Sequence, residues 1–384
     1  MRFIHTADWH LGRLFHGVHL TEDQAHILDQ FVAFVRDSRP DVLLIAGDIY
    51  DRAVPPPEAV ALLDDALSRL VLDLRVPVVL IAGNHDSPQR LGFGSRLLSG
   101  QRLHIFGSFS DDLTPVVIED RAGPVYIYAV PYAEPPVVRE SLRSDLIQTH
   151  QAAMLALIER IHQVHPPGKR SVLVAHTFVV GGLECESERP LSVGGAGAVD
   201  CACFAGFDYV ALGHLHRPQS AGKDSIQYAG SLLKYSFSEA DHNKSVSLVE
   251  MDAQGRCNVE KISLTPRRDV RCLAGYLADI LKGPKSGENP QDYLMVTLLD
   301  TGAILDTIGK LREVYPNVLH IERPSLMAGG ELHGSRTDHR QMNDTELFAA
   351  FFLQTTGEPL TEEQRSAYAA VVNAMQQRER EVMP

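Results

Sequence analysis

Five apolar segments of this chain each end in side chains that bind metals or move protons. They are RFIHTADWH (2–10), DVLLIAGD (41–48), VPVVLIAGNHD (76–86), RSVLVAHT (170–177) and DYVALGHLH (208–216). Nearly continuous apolar runs are typical of strands that are buried on both faces of a sheet. Gly, Asn and Asp are also common turn formers, so one such ending alone would indicate no more than a tight turn. Their repetition predicts one sheet edge that gathers polar side chains from several strands.

Helical patterns lie between several of these segments. Thr21 and Gln24 have the spacing of a capping box, and Pro57 with Glu58 opens a second helix. A third helix is indicated by apolar residues at helical spacing, namely Met154, Leu157, Ile158 and Ile161. Strands that alternate with helices predict a layered α/β fold, in which ligands bind at the carboxyl ends of the strands.

The sequence changes character after about residue 265, which predicts further domains. Residues 1–266 carry the strand motifs, and residues 267–328 have the pattern of a small α+β domain. Residues 342–384 predict two helices, the second of which begins at a capping box formed by Thr361 and Gln364. Two helices make a poor core alone, so they either pack back on the body or dock onto another protein.

Composition restricts the class of protein. The formal net charge of −13 argues against binding nucleic acid by bulk electrostatics, so a polyanionic substrate would need bound cations, a local basic patch or a more basic partner. No apolar stretch approaches the ~18 residues that span a bilayer, and no secretory signal is expected at the start of the chain. The odd number of cysteines, without C-x-x-C spacing, favours a reduced, cytoplasmic compartment.

The strand ends supply seven candidate metal ligands: Asp8, His10, Asp48, Asn84, His176, His214 and His216. A tetrahedral zinc ion takes four ligands, so seven suit two metals that share a carboxylate, for which Asp48 is the natural bridge. Carboxylate, amide and imidazole ligands without thiolate favour Mn²⁺ or Mg²⁺. Gly47, Gly83 and Gly213 each precede a ligand, which fits a backbone that turns sharply to aim a side chain into the cleft.

The order of these motifs, D-x-H, G-D-x-x-D, G-N-H-D, H and G-H-x-H, resembles that of the calcineurin-like metallophosphoesterase superfamily. Three further segments resemble its SbcD family of bacterial nuclease subunits: SERPLSVGGAGAVD (187–200), FDYVALGHLHRPQ (207–219) and YAGSLLKYSFSEADHNKSV (228–246). The similarity covers essentially the whole chain. It implies a layered β-sandwich flanked by helices, with a small α+β capping domain and C-terminal helices.

The resemblance also implies a role for each site residue. One Mn²⁺ would be held by Asp8, His10, Asp48 and His216, and the other by Asp48, Asn84, His176 and His214, with Mg²⁺ as a substitute. His85 matches the catalytic histidine that is not a ligand and protonates the leaving oxygen, and Asp51 would orient His85 through a hydrogen bond. Arg217 and Lys234, near the metal motifs in sequence, are candidate phosphate contacts.

The function implied is that of a two-metal DNA nuclease subunit, acting as a 3′→5′ double-strand exonuclease and a single-strand or hairpin endonuclease in DNA repair, recombination and replication. Its partners would be DNA and an SbcC-type coiled-coil ATPase docked on the 342–384 helices, with a homodimer inside a heterotetramer. No ATP-binding motif is present, so any ATP dependence would come from the partner.

Two other functions are considered. A phosphodiesterase or phosphatase of the same superfamily, acting on small nucleotides or phosphoproteins, would use the same metals. Such phosphatases usually carry Glu where this chain has Asp86 and Gly where it has Ala53, and neither function explains the later domains. A non-catalytic scaffold usually lacks a ligand or the catalytic histidine, and this chain has all of them.

Overall fold

The computed structural model of the protein describes residues 1–188, 197–301, 304–324, 344–356 and 358–382. All candidate site residues fall inside these ranges. Of the expected small domain, residues 302–303 and 325–328 lie outside the described residues, as do 342–343, 357 and 383–384 of the expected helix pair.

The chain divides into two compact units, Met1–Val270 and Arg271–Pro384. The boundary thus falls at residue 271, whereas the sequence pattern places the start of the small domain at residue 267. The second unit contains both the small domain and the two C-terminal helices.

The strands are, in chain order, β1 (Arg2–Thr6), β2 (Leu14–Phe15), β3 (Val18–His19), β4 (Val42–Ala46), β5 (Val78–Ile81), β6 (Leu103–Phe106), β7 (Val116–Asp120), β8 (Gly123–Val130), β9 (Arg170–His176), β10 (Phe178–Val179), β11 (Ala198–Val199), β12 (Tyr209–Gly213), β13 (Gln219–Ala221), β14 (Lys223–Tyr228), β15 (Ser245–Met251), β16 (Cys257–Ser263), β17 (Val270–Gly275), β18 (Tyr293–Leu298) and β19 (Val318–Glu322).

The α-helices are α1 (Thr21–Ser38), α2 (Pro57–Ser68), α3 (Pro88–Leu91), α4 (Ser95–Leu98), α5 (Pro135–Leu142), α6 (His150–Val164), α7 (Leu277–Ile280), α8 (Thr307–Val314), α9 (Asp344–Thr356) and α10 (Glu362–Val382). None of the helices in the described ranges combines the length and the apolar character that crossing a bilayer requires.

Two six-stranded sheets form the first unit, in the orders β16-β15-β1-β4-β5-β6 and β13-β14-β12-β9-β8-β7. Strands β1, β4, β5 and β6 run parallel in one sheet, as do β8, β9, β12 and β14 in the other. Apolar side chains from both sheets, among them Val42, Val79, Val172 and Ala211, share one buried cluster. The sheets therefore pack face to face as a β-sandwich.

Helices cover this sandwich. The apolar side of α6, including Leu157 and Ile161, packs in a second buried cluster with Leu173 on β9 and Leu212 on β12. On the other sheet, Phe31 of α1 is fully buried and packs edge-to-face on Trp9, just after β1. The expected β-sandwich flanked by helices is thus confirmed.

Gln24 shows how one sequence expectation failed. Helix α1 begins at Thr21, but no side chain caps its N-terminus, so the capping box predicted there is wrong. Gln24 is buried instead; its amide donates to the carbonyl of His10 (2.8 Å) and accepts from the N–H of Gly12 (3.0 Å). Gln24 therefore fixes the loop that carries His10.

The second unit contains a small α+β domain and two helices. Its three-stranded sheet has the order β17-β18-β19, and buried Leu294 and Val296 on β18 share a core with Leu311 on α8. Helices α9 and α10 occupy the segment where two helices are expected. At the start of α10, the Thr361 N–H donates to Gln364 Oε1 (2.9 Å), which confirms that capping box.

Candidate metal centre

All seven predicted ligands meet at one edge of the sandwich. They follow the carboxyl ends of β1, β4, β5 and β12 or end β9, and these parallel strands bring their ends together. Ligand atoms of Asp8, His10 and His216 lie within 4.8 Å of one another, as do those of Asp8, Asp48 and His176. Six of the seven side chains are buried, and Asn84 is half-buried.

Asp48 lies at the centre of the group. Its Oδ2 is 3.5 Å from His176 Nε2 and 3.7 Å from His10 Nε2, so one carboxylate oxygen faces imidazoles from both clusters. Its Oδ1 accepts the backbone N–H of His85 at 2.9 Å, which fixes the orientation of the carboxylate. This arrangement fits a carboxylate that bridges two cations.

Asn84 joins two histidines through its amide oxygen. Oδ1 lies 2.9 Å from His176 Nε2 and 3.2 Å from His214 Nδ1. The other nitrogen of His176, Nδ1, donates to the carbonyl of Ala46 at 2.8 Å, because a carbonyl can only accept. The Nε2 lone pair of a neutral His176 would therefore face the oxygens of Asn84 and Asp48, so either a proton or a metal cation has to lie between them.

His10 and His216 make a second close contact between imidazole nitrogens. Their Nε2 atoms are 3.0 Å apart. His216 donates from Nδ1 to Ser187 Oγ (2.7 Å), because Ser187 gives its own hydrogen to Glu239 Oε1 (2.5 Å). The Nε2 of neutral His216 is then a lone pair directed at His10.

Burial and neighbouring charges shift the pKa values of several side chains at this edge in ways that fit the binding of cations. Burial raises the pKa of Asp8 to about 7, and its Oδ2 has no hydrogen-bond partner among the described residues. Burial alone would also raise the pKa of Asp48, but the charge of His176 holds it well below its ordinary value. Burial lowers the pKa of His214 to about 3, which keeps this imidazole neutral. Carboxylate, amide and imidazole groups that converge on one buried space fit divalent ions such as Mn²⁺ and Mg²⁺.

Four of the candidate ligands have strained backbone conformations. The φ angles are 54° at Asp8, 44° at His10, 49° at Asp48 and 108° at His214. Positive φ is uncommon in residues other than glycine, and such strain is concentrated at functional sites. It aims these side chains inward where an unstrained loop would not.

The glycines beside the ligands have two different roles. Gly47 has a φ of 90°, which fits the sharp turn that the sequence predicts. Gly83 and Gly213 do not have positive φ, so the expected turn is wrong there. A Cβ atom at Gly83 would overlap Asp48, and one at Gly213 would overlap the carbonyl of Ala46. Glycine is needed at both positions for close approach.

His85 lies beside the candidate ligands, and ligand atoms of His85, His10 and Asp51 lie within 4.8 Å of one another. Its Nε2 is 4.0 Å from Asp48 Oδ2, and its Nδ1 donates to the backbone carbonyl of Asp51 at 2.8 Å. The expected hydrogen bond between His85 and Asp51 therefore exists, but the backbone carbonyl of Asp51 accepts it, not the side chain. The Asp51 carboxylate accepts instead from Arg13 Nη1 (2.7 Å) and lies 3.6 Å from His10 Nδ1.

The two candidate phosphate contacts differ. Arg217 directly follows His216 and is exposed, which leaves it available to a substrate. Lys234 is largely buried, and its ammonium group donates to the carbonyl of Ala240 (2.6 Å) and to Asp269 (3.0 Å). The prediction for Lys234 is therefore not supported, because this ammonium group already binds protein acceptors.

Several residues that hold the loops of the site by hydrogen bonds were not predicted from the sequence. Asp86 accepts the backbone N–H groups of Ile49, Tyr50 and Gly83 at 2.9–3.1 Å, and so joins the loops after β4 and β5. Glu188 Oε1 accepts the N–H of His216 at 2.6 Å. Glu188 belongs to one of the segments that carry the family resemblance, and Asp86 follows His85 directly.

Comparisons with known proteins match this chain to two family models and to a curated relative. The family model for calcineurin-like phosphoesterase matches residues 1–218, and that for the type 5 capsule protein repressor C-terminal domain matches residues 266–356. The chain is 35% identical over 375 residues to the SbcD subunit of the nuclease SbcCD from Staphylococcus saprophyticus, and the match covers 98% of each chain.

Two solved structures are also similar. A protein from Thermus thermophilus and a dimetal phosphatase from Danio rerio are 12% and 15% identical to this chain, and each has a TM-score of 0.39. The matches cover 68% of this chain and 98% and 96% of theirs.

Proposed function

Because this chain belongs to the calcineurin-like phosphoesterases and, within them, to the SbcD family of nuclease subunits, we propose that it is a metal-dependent nuclease subunit that hydrolyses DNA phosphodiester bonds. The observation that carries the proposal is a buried group of ring nitrogens and oxygens: the Nε2 atoms of His10 and His176 face Asp48 Oδ2, and His176 and His214 face Asn84 Oδ1. His216 joins the group through its Nε2, 3.0 Å from that of His10. Such a group is unfavourable unless cations bind there.

Each of two divalent ions has a set of ligands. Asp8, His10, Asp48 and His216 would hold one ion, and Asp48, Asn84, His176 and His214 the other. Bound there, the pair would supply Lewis acidity for the phosphate group and lower the pKa of a water molecule. The donor set favours Mn²⁺, with Mg²⁺ as a substitute.

His85 is the proposed general acid. Its Nδ1–H is held by the carbonyl of Asp51, so the second proton of the imidazolium is on Nε2, on the side that faces Asp48. That proton goes to the oxygen of the departing DNA strand. Asp51 positions His85 through its backbone, and its side chain holds Arg13. Exposed Arg217 is the proposed phosphate contact.

DNA binding by a chain with a net charge of −13 needs help, which we assign to a partner. The proposed partner is an SbcC-type coiled-coil ATPase that binds helices α9 and α10. Phe348 and Tyr368 stack at 3.9 Å between these helices, while Phe351 and Val371 expose 59% and 58% of their surface. Exposed apolar side chains on a helix pair are typical of a docking surface. The domain at 267–328 is the proposed cap that helps to select the DNA substrate.

The proposed assembly is a homodimer of this chain within a heterotetramer. Two large apolar residues just after the metal-binding loop, Phe93 and Leu97, are 85% and 84% exposed. Burying them in a second copy would remove this apolar surface from water. The proposed location is the cytoplasm, where five free cysteines would stay reduced.

A nuclease assay on the purified chain tests the proposal. Linear duplex and hairpin DNA should be degraded with Mn²⁺, to a lesser extent with Mg²⁺, and not after chelation. The polarity should be 3′→5′. His85→Ala should abolish degradation while the bound metal, measured by mass spectrometry, is unchanged. Loss of metal together with activity would make His85 a ligand and contradict its assignment as the acid.

The docking proposal needs its own variant. Deletion of residues 342–384 should abolish binding of the SbcC-type ATPase but leave hydrolysis of a nitrophenyl phosphodiester at the native rate. Binding that survives this deletion would place the docking surface elsewhere. Activity on phosphoproteins or cyclic nucleotides without activity on DNA would favour the phosphatase or phosphodiesterase alternative.

A further inference from the structure

A buried ion pair lies behind His216, where the proposed chemistry does not use it. Glu239 is fully buried and Lys244 nearly so, and their charged groups are in direct contact. Removing two charges from water costs several kcal/mol per ion in order-of-magnitude terms. A pair at this depth therefore has to be stabilised by further hydrogen bonds.

Those hydrogen bonds lead to one metal ligand. Glu239 Oε1 accepts from Ser187 Oγ (2.5 Å), and Ser187 Oγ accepts from His216 Nδ1 (2.7 Å). Lys244 Nζ donates to the backbone carbonyl of His216 (2.7 Å) and to Ser231 Oγ (2.8 Å). The ion pair thus holds both the imidazole and the backbone of His216.

Glu239 is a carboxylate in this setting. The Lys244 ammonium group is in direct contact with Glu239 Oε2, and this contact stabilises the charged form of the carboxyl group. An anionic acceptor orders the hydrogens along the chain of contacts, because Ser187 must donate to it and can then only accept from His216. The lone pair of His216 is thereby directed from Nε2 toward the ligands.

We propose that Ser187, Glu239 and Lys244 are positioning residues that fix the tautomer and orientation of His216 and thereby set the affinity of the metal ion held by Asp8, His10 and His216. The inference rests on the proposed function, because it requires His216 to be a ligand. It adds the residues that make the binding affinities of the two ions different.

The expected difference in affinity follows from a comparison of His216 with His176. The Nδ1–H of His176 is held by the neutral carbonyl of Ala46, whereas that of His216 leads to a charged group. A carboxylate behind an imidazole raises its basicity as a ligand, and changes in such outer partners typically alter metal affinity about 10–100-fold. Loss of these hydrogen bonds should therefore lower the binding affinity for one ion and leave the affinity for the other unchanged.

Calorimetric titration of the metal-free full chain with Mn²⁺ tests this. The native chain should bind two ions. Ser187→Ala removes the hydroxyl group between His216 and Glu239, keeps the ion pair and leaves Glu239 Oε1 3.5 Å from His216 Nδ1, beyond normal hydrogen-bond length. It should weaken the binding of one ion about 10–100-fold and leave that of the other unchanged. Glu239→Gln should do the same. Electron paramagnetic resonance should then show a spin-coupled manganese pair in the native chain and a single-ion spectrum in both variants at the same Mn²⁺ concentration.

Asp120→Asn is the matched control. Asp120 and Arg170 form another largely buried ion pair, with Nη1–Oδ2 2.9 Å, at the opposite end of β9 from His176. This variant should lower thermal stability without changing either Mn²⁺ affinity. If Glu239→Gln does not fold, Ser187→Ala alone decides the matter.

Two results would overturn the inference. Unchanged Mn²⁺ affinities in Ser187→Ala would remove the positioning role, and an equal loss at both ions would make the effect a general distortion. A native chain that binds no pair of ions would instead overturn the proposed metal centre, and the inference with it. Mn²⁺ binding by the native chain therefore separates the two failures.

Discussion

His176 Nε2 lies 2.9 Å from Asn84 Oδ1, although the other nitrogen of His176 is already committed as a donor to the carbonyl of Ala46. A proton or a metal ion has to lie at Nε2 to make this approach favourable. Burial lowers the pKa of His176, but the Asp48 carboxylate outweighs burial and raises it to about 9, so a proton occupies Nε2 when no metal is bound.

Metal binding should therefore stabilise the fold. At Mn²⁺ one hundred times above its dissociation constant, one ion adds about 2.7 kcal/mol to the free energy of unfolding. We expect a higher melting temperature with Mn²⁺ than with chelator by calorimetry, and a smaller difference for Asn84→Ala, which removes a proposed ligand. Equal melting temperatures with Mn²⁺ and chelator would contradict a metal centre at these residues.

The effect of His85→Ala should depend on the leaving group. Loss of a general acid typically costs about 10²–10⁴-fold in rate when the leaving oxygen is a poor one, as in DNA. A nitrophenolate leaves without protonation, so a nitrophenyl phosphodiester should lose much less. Steady-state rates on both substrates measure the difference. His162→Ala, an exposed histidine outside the site, should leave both rates near native. Equal losses on the two substrates would rule out an acid role for His85.

Gly83→Ala should destabilise the site by steric overlap. A Cβ atom there would overlap Asp48 Oδ1, so the backbone must shift, at a cost of about 1–3 kcal/mol. Chemical denaturation should show this loss, and Mn²⁺ titration should show weaker binding. Gly100→Ala is the control, because a Cβ atom at Gly100 meets nothing within 4 Å. If both variants were equally stable, the close approach of Gly83 to Asp48 would not matter.

The convergence of the candidate ligands was predictable because it depends on topology. Parallel strands end at the same edge of a sheet, so Asp8, Asp48 and Asn84 could be grouped from the apolar runs that precede them. The same reasoning grouped His176 and His214 from the second sheet. Strand periodicity and residue type carry this information without any tertiary detail.

The features that the sequence did not predict depend on backbone geometry and on contacts between residues that are far apart in sequence. No pattern shows that Asp51 holds His85 through its carbonyl, because any residue has that group. Lys234 appeared free for phosphate because Asp269, which binds it, is 35 positions away in sequence. Glu239 and Lys244 are close in sequence, but Glu239 is linked to the imidazole of His216 through Ser187 in another loop, and Lys244 binds the carbonyl of His216, 28 positions away.

Acid should destabilise the protein through a buried histidine between the sheets. Burial lowers the pKa of His5 to about 3, while its Nδ1 contacts Tyr209 Oη (3.1 Å) and its Nε2 contacts the carbonyl of Leu212 (3.1 Å). The unfolded chain binds a proton at this histidine below its ordinary pKa of 6.5 and the folded chain does not, so stability is present above pH 6.5 and is lost as pH falls toward 3. The loss at pH 5 is about 2 kcal/mol.

Denaturation of the native chain and of His5→Gln at pH 8 and pH 5 measures this contribution. Glutamine does not titrate, so the variant, although less stable at pH 8, should lose less stability between the two pH values. An identical loss in both proteins would assign the acid sensitivity to other groups.

Association of the chain with itself should depend on Phe93 and Leu97. Both side chains are largely exposed, so Leu97→Asp should cost the folded monomer little, whereas a charge buried in a dimer interface without a partner is strongly unfavourable. Sedimentation should therefore show a dimer for the native chain and a monomer for Leu97→Asp. Leu146→Asp, at a residue 86% exposed elsewhere in the same unit, introduces the same charge and should remain a dimer. A Leu97→Asp variant that sediments with the native mass would exclude this surface from the interface.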